Sequence, residues 1–465
     1  MNLFRTKSIN DIIEASEKKA LKKTLGMVDL ILLGVGCIIG TGIFVLTGIG
    51  AAQYAGPGIA LSYLCAAFAC TFAALVYAEL AAMVPVSGSA YTYSYTILGE
   101  FVAWLVGWAL ILEYTGAAST VASGWSGYMV GILKTGGIIL PEALTKVPSE
   151  GGIINLPAVL ISLFIGFLLV RGTKESVNLN RVLVAIKLAA VFLFLIVAIP
   201  HIKIENWSEF LPFGWHGVFV GAGAIFFAYL GFDAVATTAE ECKNPKRDLP
   251  IGIIGSLIVC SLLYIVVSLV LTGITHYTHL NNPEPLALAL RENGSNIGSS
   301  LVATGAIAGM TSVMLVMMYG QSRIFFAMSR DGLIPGFFNK IHKKYTTPYI
   351  SALIVMFVVA ITSGFTTIQT LSHLASVGTL FAFVVVAVGV LVLRIKRPEL
   401  DRPFKCPIVF IVAPMAIITC GYLIYTILTQ TGRPFVIWTI LGLIVYFIYS
   451  YRNSPLNKPD NQNKL

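Results

Sequence analysis

The chain has 465 residues, of which 57% are hydrophobic and only 11% are charged, and its mean hydropathy is +0.83. Average globular chains carry about 25% charged residues, so this composition excludes a soluble domain and indicates that the bilayer is the solvent. The net charge of +9 is confined to clusters between long apolar stretches, a pattern typical of membrane-spanning helices.

The apolar stretches, divided at proline, glycine and charge clusters, predict about twelve membrane-spanning helices. A polar, basic segment (1–25) precedes the first of them. That first span has no small-residue cleavage site after it, so we expect a retained span and no signal peptide. The predicted spans are 26–49, 58–83, 98–130, 155–171, 178–201, 215–239, 250–272, 296–325, 349–364, 374–394, 406–428 and 433–451.

Most of the 31 basic residues lie in one alternating set of loops and in the two terminal segments. The positive-inside rule therefore places both termini in the cytoplasm of a cell whose plasma membrane the chain crosses many times. This asymmetry explains the net charge without a nucleic-acid partner. The seven cysteines form no C-x-x-C motif and the histidines lie in loops or near span ends, so we expect neither a metal site nor an enzyme active site.

Glycines interrupt the first span, where Gly34, Gly36, Gly40 and Gly42 fall within nine positions. The spacing does not match a dinucleotide-binding loop, which also requires a preceding strand. Gly36 and Gly40 fit close packing between helices. The run Gly40-Thr41-Gly42 instead predicts a break in the helix, which is tolerated at membrane depth only where the backbone lines a cavity.

The sixth span has a matching interruption, with Gly231 at mid-span and the carboxylate of Asp233 beside it. Each break falls about 14 residues into its span, and the two spans run in opposite directions. Matched breaks of this kind indicate an inverted-repeat transporter with its binding site near the bilayer midplane.

Such breaks suit a zwitterionic ligand. The half-helix that begins near Gly42 offers free amide groups and a positive dipole end to a carboxylate. The half-helices that end near Ile39 and Ala228 offer carbonyl oxygens to an ammonium group. An α-amino acid carries both groups.

Several segments spread over the chain form a recognisable pattern: Gly36-x-x-x-Gly40-Thr41-Gly42-Ile43-Phe44, Tyr77-Ala78-Glu79-Leu80, Pro85-x-x-Gly88-Ser89-Ala90-Tyr91, Gly107-Trp108, Leu112-Glu113-Tyr114 and Glu240-Glu241-x-x-Asn244-Pro245-x-Arg247-x-Leu249-Pro250. Together they resemble permeases of the amino acid-polyamine-organocation (APC) superfamily, most closely the cationic amino acid transporter branch.

The resemblance implies an all-α polytopic fold with a LeuT-like five-plus-five inverted repeat. Helices 1–5 (26–201) and helices 6–10 (215–394) would form the repeats, followed by two further helices (406–451) and a cytoplasmic tail (452–465).

By this resemblance, Thr41 and Gly42 bind the carboxylate of the substrate. Phe227 is expected to close over the bound substrate as an outer gate. The substrate's amine is expected to bind four backbone carbonyls, those of Ile38, Phe227, Ala228 and Leu230. No cofactor is implied, and a proton is the expected coupling ion.

Lys187 is a charge within the fifth span. One interpretation is that it snorkels, since it lies about 9 Å of helix rise beyond Arg181 and the cytoplasmic interface. The other is proton coupling, because related permeases that run without sodium place a lysine at this span, and a buried amine can gain and lose a proton during a transport cycle. We favour the coupling role.

Two carboxylates and one methionine are candidates for the side-chain pocket. Glu113 either forms a neutral structural contact with a neighbouring helix or lines the pocket and the proton path. Asp233 either caps the half-helix that follows it or contacts the substrate. Met317 either fills an irregular helix contact or shortens the pocket, and in the second case it favours neutral amino acids.

The expected function is proton-coupled uptake of neutral L-amino acids by alternating access. The alternatives are an amino acid exchanger, which needs no titrating lysine, and a transporter of cationic amino acids such as arginine or lysine. A channel would need a continuous polar lining, and a sensor would need a means to pass on its signal. The sequence does not identify the preferred side chain, the oligomeric state or any small membrane partner.

Overall fold

The computed structural model describes residues 5–6, 23–84, 89–172, 177–342, 344–345 and 347–457. The predicted terminal segments 1–25 and 452–465 therefore lie largely outside the described residues, as do positions 85–88 of the family pattern.

The all-α prediction is confirmed, since the described chain is built from helices and contains one isolated β-bridge, between Leu25 and Cys242. The principal α-helices are α1 (Met27–Ile38), α2 (Ile59–Met83), α3 (Ser89–Ile97), α4 (Glu100–Thr135), α5 (Leu156–Arg171), α6 (Val177–Ala198), α7 (Gly214–Ala224), α8 (Pro245–Ile274), α9 (Pro285–Glu292), α10 (Asn296–Arg330), α11 (Tyr349–Phe365), α12 (Ile368–Lys396) and α13 (Val409–Val445).

The lengths of these helices fit a membrane protein. Among the described residues, seven helical stretches are long and apolar enough to cross a bilayer, and an eighth is added when the bent pair that begins with α7 is counted as one span. Three shorter apolar helices, α1, α5 and α11, accompany them. The chain is therefore a multi-span membrane protein.

Helix α13 combines two predicted spans. It contains one residue with a non-helical backbone, Thr431 (φ −135°, ψ 33°), which lies between the predicted spans 406–428 and 433–451. At 1.5 Å per residue its 37 residues extend about 55 Å, well beyond the roughly 30 Å of one hydrocarbon core.

Helix α4 lies at the centre of the molecule, where it packs against α10 and α12, while α8 packs against α1 and α2. Apolar side chains on the periphery, such as Ile196, Leu262 and Phe410, are more than half exposed. Hydrocarbon solvent explains such exposure, because in a membrane the outward face of a helix remains apolar.

A buried ion pair fixes one end of α2. The Glu79 carboxylate accepts two hydrogen bonds from Arg394 at the end of α12, at 2.9 and 2.7 Å, and one from the backbone N–H of Cys406 at 2.8 Å. Glu79, near the end of α2, thus has a structural role.

Candidate functional site

The first span is broken where the glycine pattern predicts. Helix α1 ends at Ile38, and Ile39 has an extended backbone (φ −73°, ψ 105°). Helical structure resumes with the π-helical turn Gly42–Leu46. The break therefore directs the last carbonyls of α1 and the first amides of the next half-helix toward the same region.

The second break lies in the span that begins with α7. A 3₁₀ turn, Phe226–Tyr229, follows α7, and Leu230 is extended. Gly231 then adopts a left-handed backbone (φ 109°), which glycine reaches without a steric penalty. The stretches Gly214–Ala224 and Phe226–Ala239, which meet at Ile225, are bent by 46° relative to each other.

The two breaks are in direct contact. A methyl group at Gly42 would lie 2.5 Å from the Cα atom of Ala228, and one at Gly231 would lie 3.0 Å from the Cβ atom of Cys37. Only glycine permits this approach at Gly42, because the obstructing atom belongs to the backbone. The structure thus brings together Thr41, Gly42 and Ala228.

Thr41 has an unused hydroxyl at this junction. Its side chain is fully buried, does not cap the half-helix that it precedes, and forms no hydrogen bond with the described residues. Its methyl group packs on Gly124 of α4, where an added Cβ would lie 2.6 Å away. A buried hydroxyl beside free helix amides is suited to a ligand carboxylate.

Lys187 extends from α6 to the end of α1. Its ammonium donates to the carbonyl of Gly36 at 2.7 Å and to that of Ile39 at 3.2 Å, and its side chain is fully buried. The snorkelling interpretation is therefore wrong. The side chain turns inward because the broken helix offers carbonyl oxygens that have no partner within α1.

A second helix also reaches these carbonyls. The hydroxyl of Tyr264 on α8 lies 2.9 Å from the carbonyl oxygen of Ile38 and 2.8 Å from that of Ala228. Phe227 and Leu230 flank Ala228 and are buried, and the Phe227 carbonyl accepts the Leu230 N–H at 3.1 Å. Of the four predicted amine-binding carbonyls, the structure brings those of Ile38 and Ala228 together.

Glu113 is buried on α4, against α12. Thr379 lies close to its carboxyl group, and an added Cβ at Gly378 would lie 3.1 Å from the Cβ atom of Glu113. Its Oε2 atom forms no hydrogen bond within the described structure. The packing against α12 fits the structural interpretation, and the Oε2 atom remains available to a ligand or water.

Asp233 follows the second break directly. The backbone N–H groups of Gly231 and Ala234 lie close to its carboxylate, which agrees with the capping interpretation. The hydroxyls of Tyr77 and Tyr93 are buried near Asp233 and form no hydrogen bond with described residues. Their rings are 5.7 Å apart.

Met317 is buried on α10. One turn before it, Val313 lies against the first break, where an added Cβ at Gly40 would be 3.3 Å away. One turn after it, an added Cβ at Gly320 would be 2.6 Å from the ring of Tyr114. Residues three and four apart share a helix face, so Met317 lies on the same face of α10 as Val313 and Gly320.

A cavity of about 370 Å³ lies beside this junction. It shares Gly124 with the Thr41 contact, and Glu150 and Lys146 contribute to its wall. Burial raises the pKa of the Glu150 carboxyl, and the charge of Lys146 opposes that rise. Most of the remaining wall is polar, with Gln53, Ser123, Ser126, Asn155, Asn281, Asn282, Thr366, Thr367 and Gln369 among its members.

Helix α9 packs between α4 and the segment after the first break. Glu284, just before α9, lies against Gly131 of α4 and pairs with Arg291 at 2.5 Å. Burial raises the pKa of the Glu284 carboxyl, and Arg291 opposes that rise. An added Cβ at Gly48 would lie 2.4 Å from Pro285, so α9 is in firm contact with the first span.

Sequence reasoning missed Tyr264 and Gly124. A tyrosine in the middle of an apolar span is a detectable signal, because a buried phenol normally requires a hydrogen-bond partner. Gly124 carries no comparable signal in the sequence.

Comparison with known proteins agrees with a transport role. A family model described as amino acid permease matches residues 25–448. The branched-chain amino acid permease BcaP of Bacillus subtilis (strain 168) is 48% identical over 98% of this chain and 99% of its own length. The methylthioribose transporter of the same organism is 46% identical over 98% of this chain and 100% of its own length. The vacuolar cationic amino acid transporter 4 of Arabidopsis thaliana is 38% identical over 86% of this chain and 68% of its own length.

Proposed function

Because this chain belongs to the amino acid permease family, we propose that it takes up neutral L-amino acids together with protons by alternating access. The observation that supports this proposal most directly is the contact of the two broken spans at Gly42 and Ala228. The contact brings a group of donors, the Thr41 hydroxyl and nearby amides, next to a group of acceptors, the carbonyls of Ile38 and Ala228. A zwitterion matches both groups.

The preference for a neutral side chain rests on Met317. A thioether facing the site shortens it and offers no partner to a cationic head group. The branched-chain amino acid permease relative supports the same preference. The competing candidate is a cationic amino acid, which the unpaired Oε2 atom of Glu113 and the cationic amino acid transporter relative favour.

Coupling to protons rests on Lys187. Its ammonium is fully buried and donates to the carbonyls of Gly36 and Ile39, and a buried amine can gain and lose a proton during a transport cycle. Deprotonation would also weaken the attachment of α6 to the end of α1. An exchanger is the alternative, since exchange requires no titrating group.

A methylthioribose-like thiosugar is a second candidate. The carbonyls of Ile38 and Ala228 both lie within hydrogen-bond distance of a neutral hydroxyl, that of Tyr264, so they are also suited to a sugar hydroxyl. The methylthioribose transporter relative motivates this candidate.

For the architecture, we propose a five-plus-five inverted repeat, with residues 26–201 and 215–394 as the repeats and 406–451 as two additional helices. The opposite directions and similar depths of the two breaks support it. We also propose the plasma membrane as the location, with both termini in the cytoplasm, on the basis of the distribution of basic residues.

One experiment separates these functions. Purified protein in liposomes is offered labelled leucine, arginine and methylthioribose, with and without an inward proton gradient. We expect leucine to accumulate against its concentration gradient only when the proton gradient is present. Uptake that ignores the proton gradient but requires internal amino acid would replace the proposal with exchange, and uptake of methylthioribose alone would replace it with thiosugar transport.

A further inference from the structure

An apolar stripe of three side chains, Leu160, Phe164 and Phe167, runs along α5. Each of them is about half exposed, and their spacing of four and three residues places them on one face of the helix. Arg171 follows four residues later on the same face, at the last residue of α5, and is also exposed. From Leu160 to Arg171 the helix rises about 16 Å, close to the hydrocarbon depth of one leaflet, roughly 15 Å. An acyl chain that lies along the apolar stripe therefore ends at Arg171.

The loop between α10 and α11 brings a second cation to this end of α5. The Thr347 hydroxyl donates to the carbonyl of Val170 at 2.9 Å. An added Cβ at Gly172 would lie 3.1 Å from the carbonyl oxygen of Tyr345. Lys344 directly precedes Tyr345 and is exposed, with its ammonium 5.6 Å from the centre of the Tyr345 ring. The loop thus adds an exposed ammonium beside the guanidinium that ends α5.

The same loop carries exposed apolar side chains at fixed positions. Phe338 stacks on Phe325 of α10, with 5.0 Å between the ring centres, and its carbonyl accepts the Ser351 hydroxyl at 2.7 Å. Phe337 and Ile341, which precede and follow this anchor in the chain, are about half exposed. Such a segment is favourable at a membrane surface, because its apolar groups enter the acyl region while its cations stay among the headgroups.

The charge of this end of the molecule is positive. No Asp or Glu occurs between Asp331 and Glu399, and in the part of the chain that the structure describes neither Arg171 nor Lys344 forms an ion pair. The guanidinium of Arg171 lies 4.4 Å from the centre of the Phe167 ring, a contact that leaves its N–H donors available to an anion. Two such cations at the end of an apolar stripe complement a phosphate that carries acyl chains.

We infer that the apolar stripe of α5 and the adjoining loop bind an anionic phospholipid. Its phosphate lies between Arg171 and Lys344, and one of its acyl chains lies along the stripe. Phosphatidylglycerol fits this site because its headgroup has a net negative charge, whereas the choline of phosphatidylcholine adds a cation that both side chains repel. A soluble phosphate gains nothing from the stripe, so the apolar contact selects a lipid. This inference does not depend on which substrate the protein carries.

Lipid binding to the purified full-length protein is the direct test. The protein in detergent is titrated with phosphatidylglycerol or phosphatidylcholine, and native mass spectrometry gives the apparent Kd of the first bound lipid. A cation near an anionic headgroup contributes about fivefold in affinity. The double variant Arg171→Gln/Lys344→Gln should therefore bind phosphatidylglycerol about thirtyfold more weakly than wild type, with phosphatidylcholine binding unchanged within about twofold.

Two further double variants serve as controls. Lys134→Gln/Lys203→Gln removes the same charge from exposed lysines outside this surface, so its phosphatidylglycerol binding should match that of wild type. Arg171→Lys/Lys344→Arg keeps both charges and should bind phosphatidylglycerol within about threefold of wild type. Because the lipid binds the folded protein, phosphatidylglycerol should also raise the melting temperature of wild type in detergent more than that of Arg171→Gln/Lys344→Gln.

Glycerol phosphate, a headgroup without acyl chains, distinguishes a lipid from a soluble phosphate. We expect it not to displace an equal concentration of phosphatidylglycerol, and displacement would overturn the role of the apolar stripe. Equal phosphatidylglycerol binding by wild type and Arg171→Gln/Lys344→Gln would overturn the site, as would an equal loss in the Lys134→Gln/Lys203→Gln control. If Arg171→Gln/Lys344→Gln does not fold, wild type alone decides, since equal Kd values for the two lipids would also overturn the site.

Discussion

Replacement of Lys187 by alanine tests how the protein is coupled to protons. The ammonium serves two buried carbonyls, at 2.7 and 3.2 Å, and hydrogen bonds to charged groups contribute about 1.5–3 kcal/mol each. Since such terms are not additive, we expect Lys187→Ala to lower the free energy of unfolding by about 3 kcal/mol, measured as a lower melting temperature in detergent.

The transport assay gives the more specific result. With one proton carried per substrate, a gradient of one pH unit supplies about 1.4 kcal/mol and so about tenfold accumulation of leucine in liposomes. Lys187→Ala should accumulate none above equilibrium, yet it should still exchange external labelled leucine for internal leucine.

Two control variants guard this interpretation. Lys187→Met keeps most of the apolar stem but has no ammonium, so it should lose accumulation while losing less stability than alanine. Lys203→Ala changes an exposed lysine and should behave as wild type. Tenfold accumulation by Lys187→Ala would refute the coupling role.

Three further predictions follow from other parts of the site. Gly42→Ala places a methyl group 2.5 Å from the backbone of Ala228, so it should abolish leucine uptake and lower stability by roughly 1–3 kcal/mol or more; wild-type uptake would contradict the contact. Met317→Ser should lengthen the pocket and raise the affinity for arginine relative to leucine in competition assays, and an unchanged ratio would remove Met317 from the selectivity argument. Burial raises the pKa of Glu284 despite its pairing with Arg291, so its contribution to stability is greatest below its ordinary pKa of 4.5 and is lost as the pH rises through the raised value. The melting temperature of Glu284→Gln should therefore fall less between pH 4.5 and pH 8 than that of wild type. Equal falls would contradict the raised pKa of Glu284.

The sequence predicts the features of this protein that depend on local chemistry. Composition and charge placement identify a membrane protein, and the resemblance to amino acid permeases is confirmed by the family match over 25–448. The breaks at Gly40-Thr41-Gly42 and at Gly231 are predictable because glycine weakens a helix wherever it occurs.

Contacts between distant helices are not predictable in the same way. Tyr264 and Ile38 are 226 residues apart, and Lys187 reaches Ile39 across 148. For Lys187 the sequence supports both an inward and an outward direction, because the length of its stem permits either. The position of α1 decides between them, because its last carbonyls have no partner within the helix.

The end of α1 connects substrate binding to coupling. The carbonyls of Gly36 and Ile39 are served by Lys187 from α6, while that of Ile38 is served by Tyr264 from α8. Deprotonation of Lys187 would weaken the hydrogen bonds between α6 and α1 but not the one between Tyr264 and α1. Helix α1 would therefore loosen from α6 while its contact with α8 persists. Lys187→Ala should therefore speed amide hydrogen exchange in Met27–Ile38 more than Tyr264→Phe does, because two of the three bonded carbonyls depend on Lys187. Equal exchange in the two variants would mean that packing, and not these hydrogen bonds, holds α1 in place.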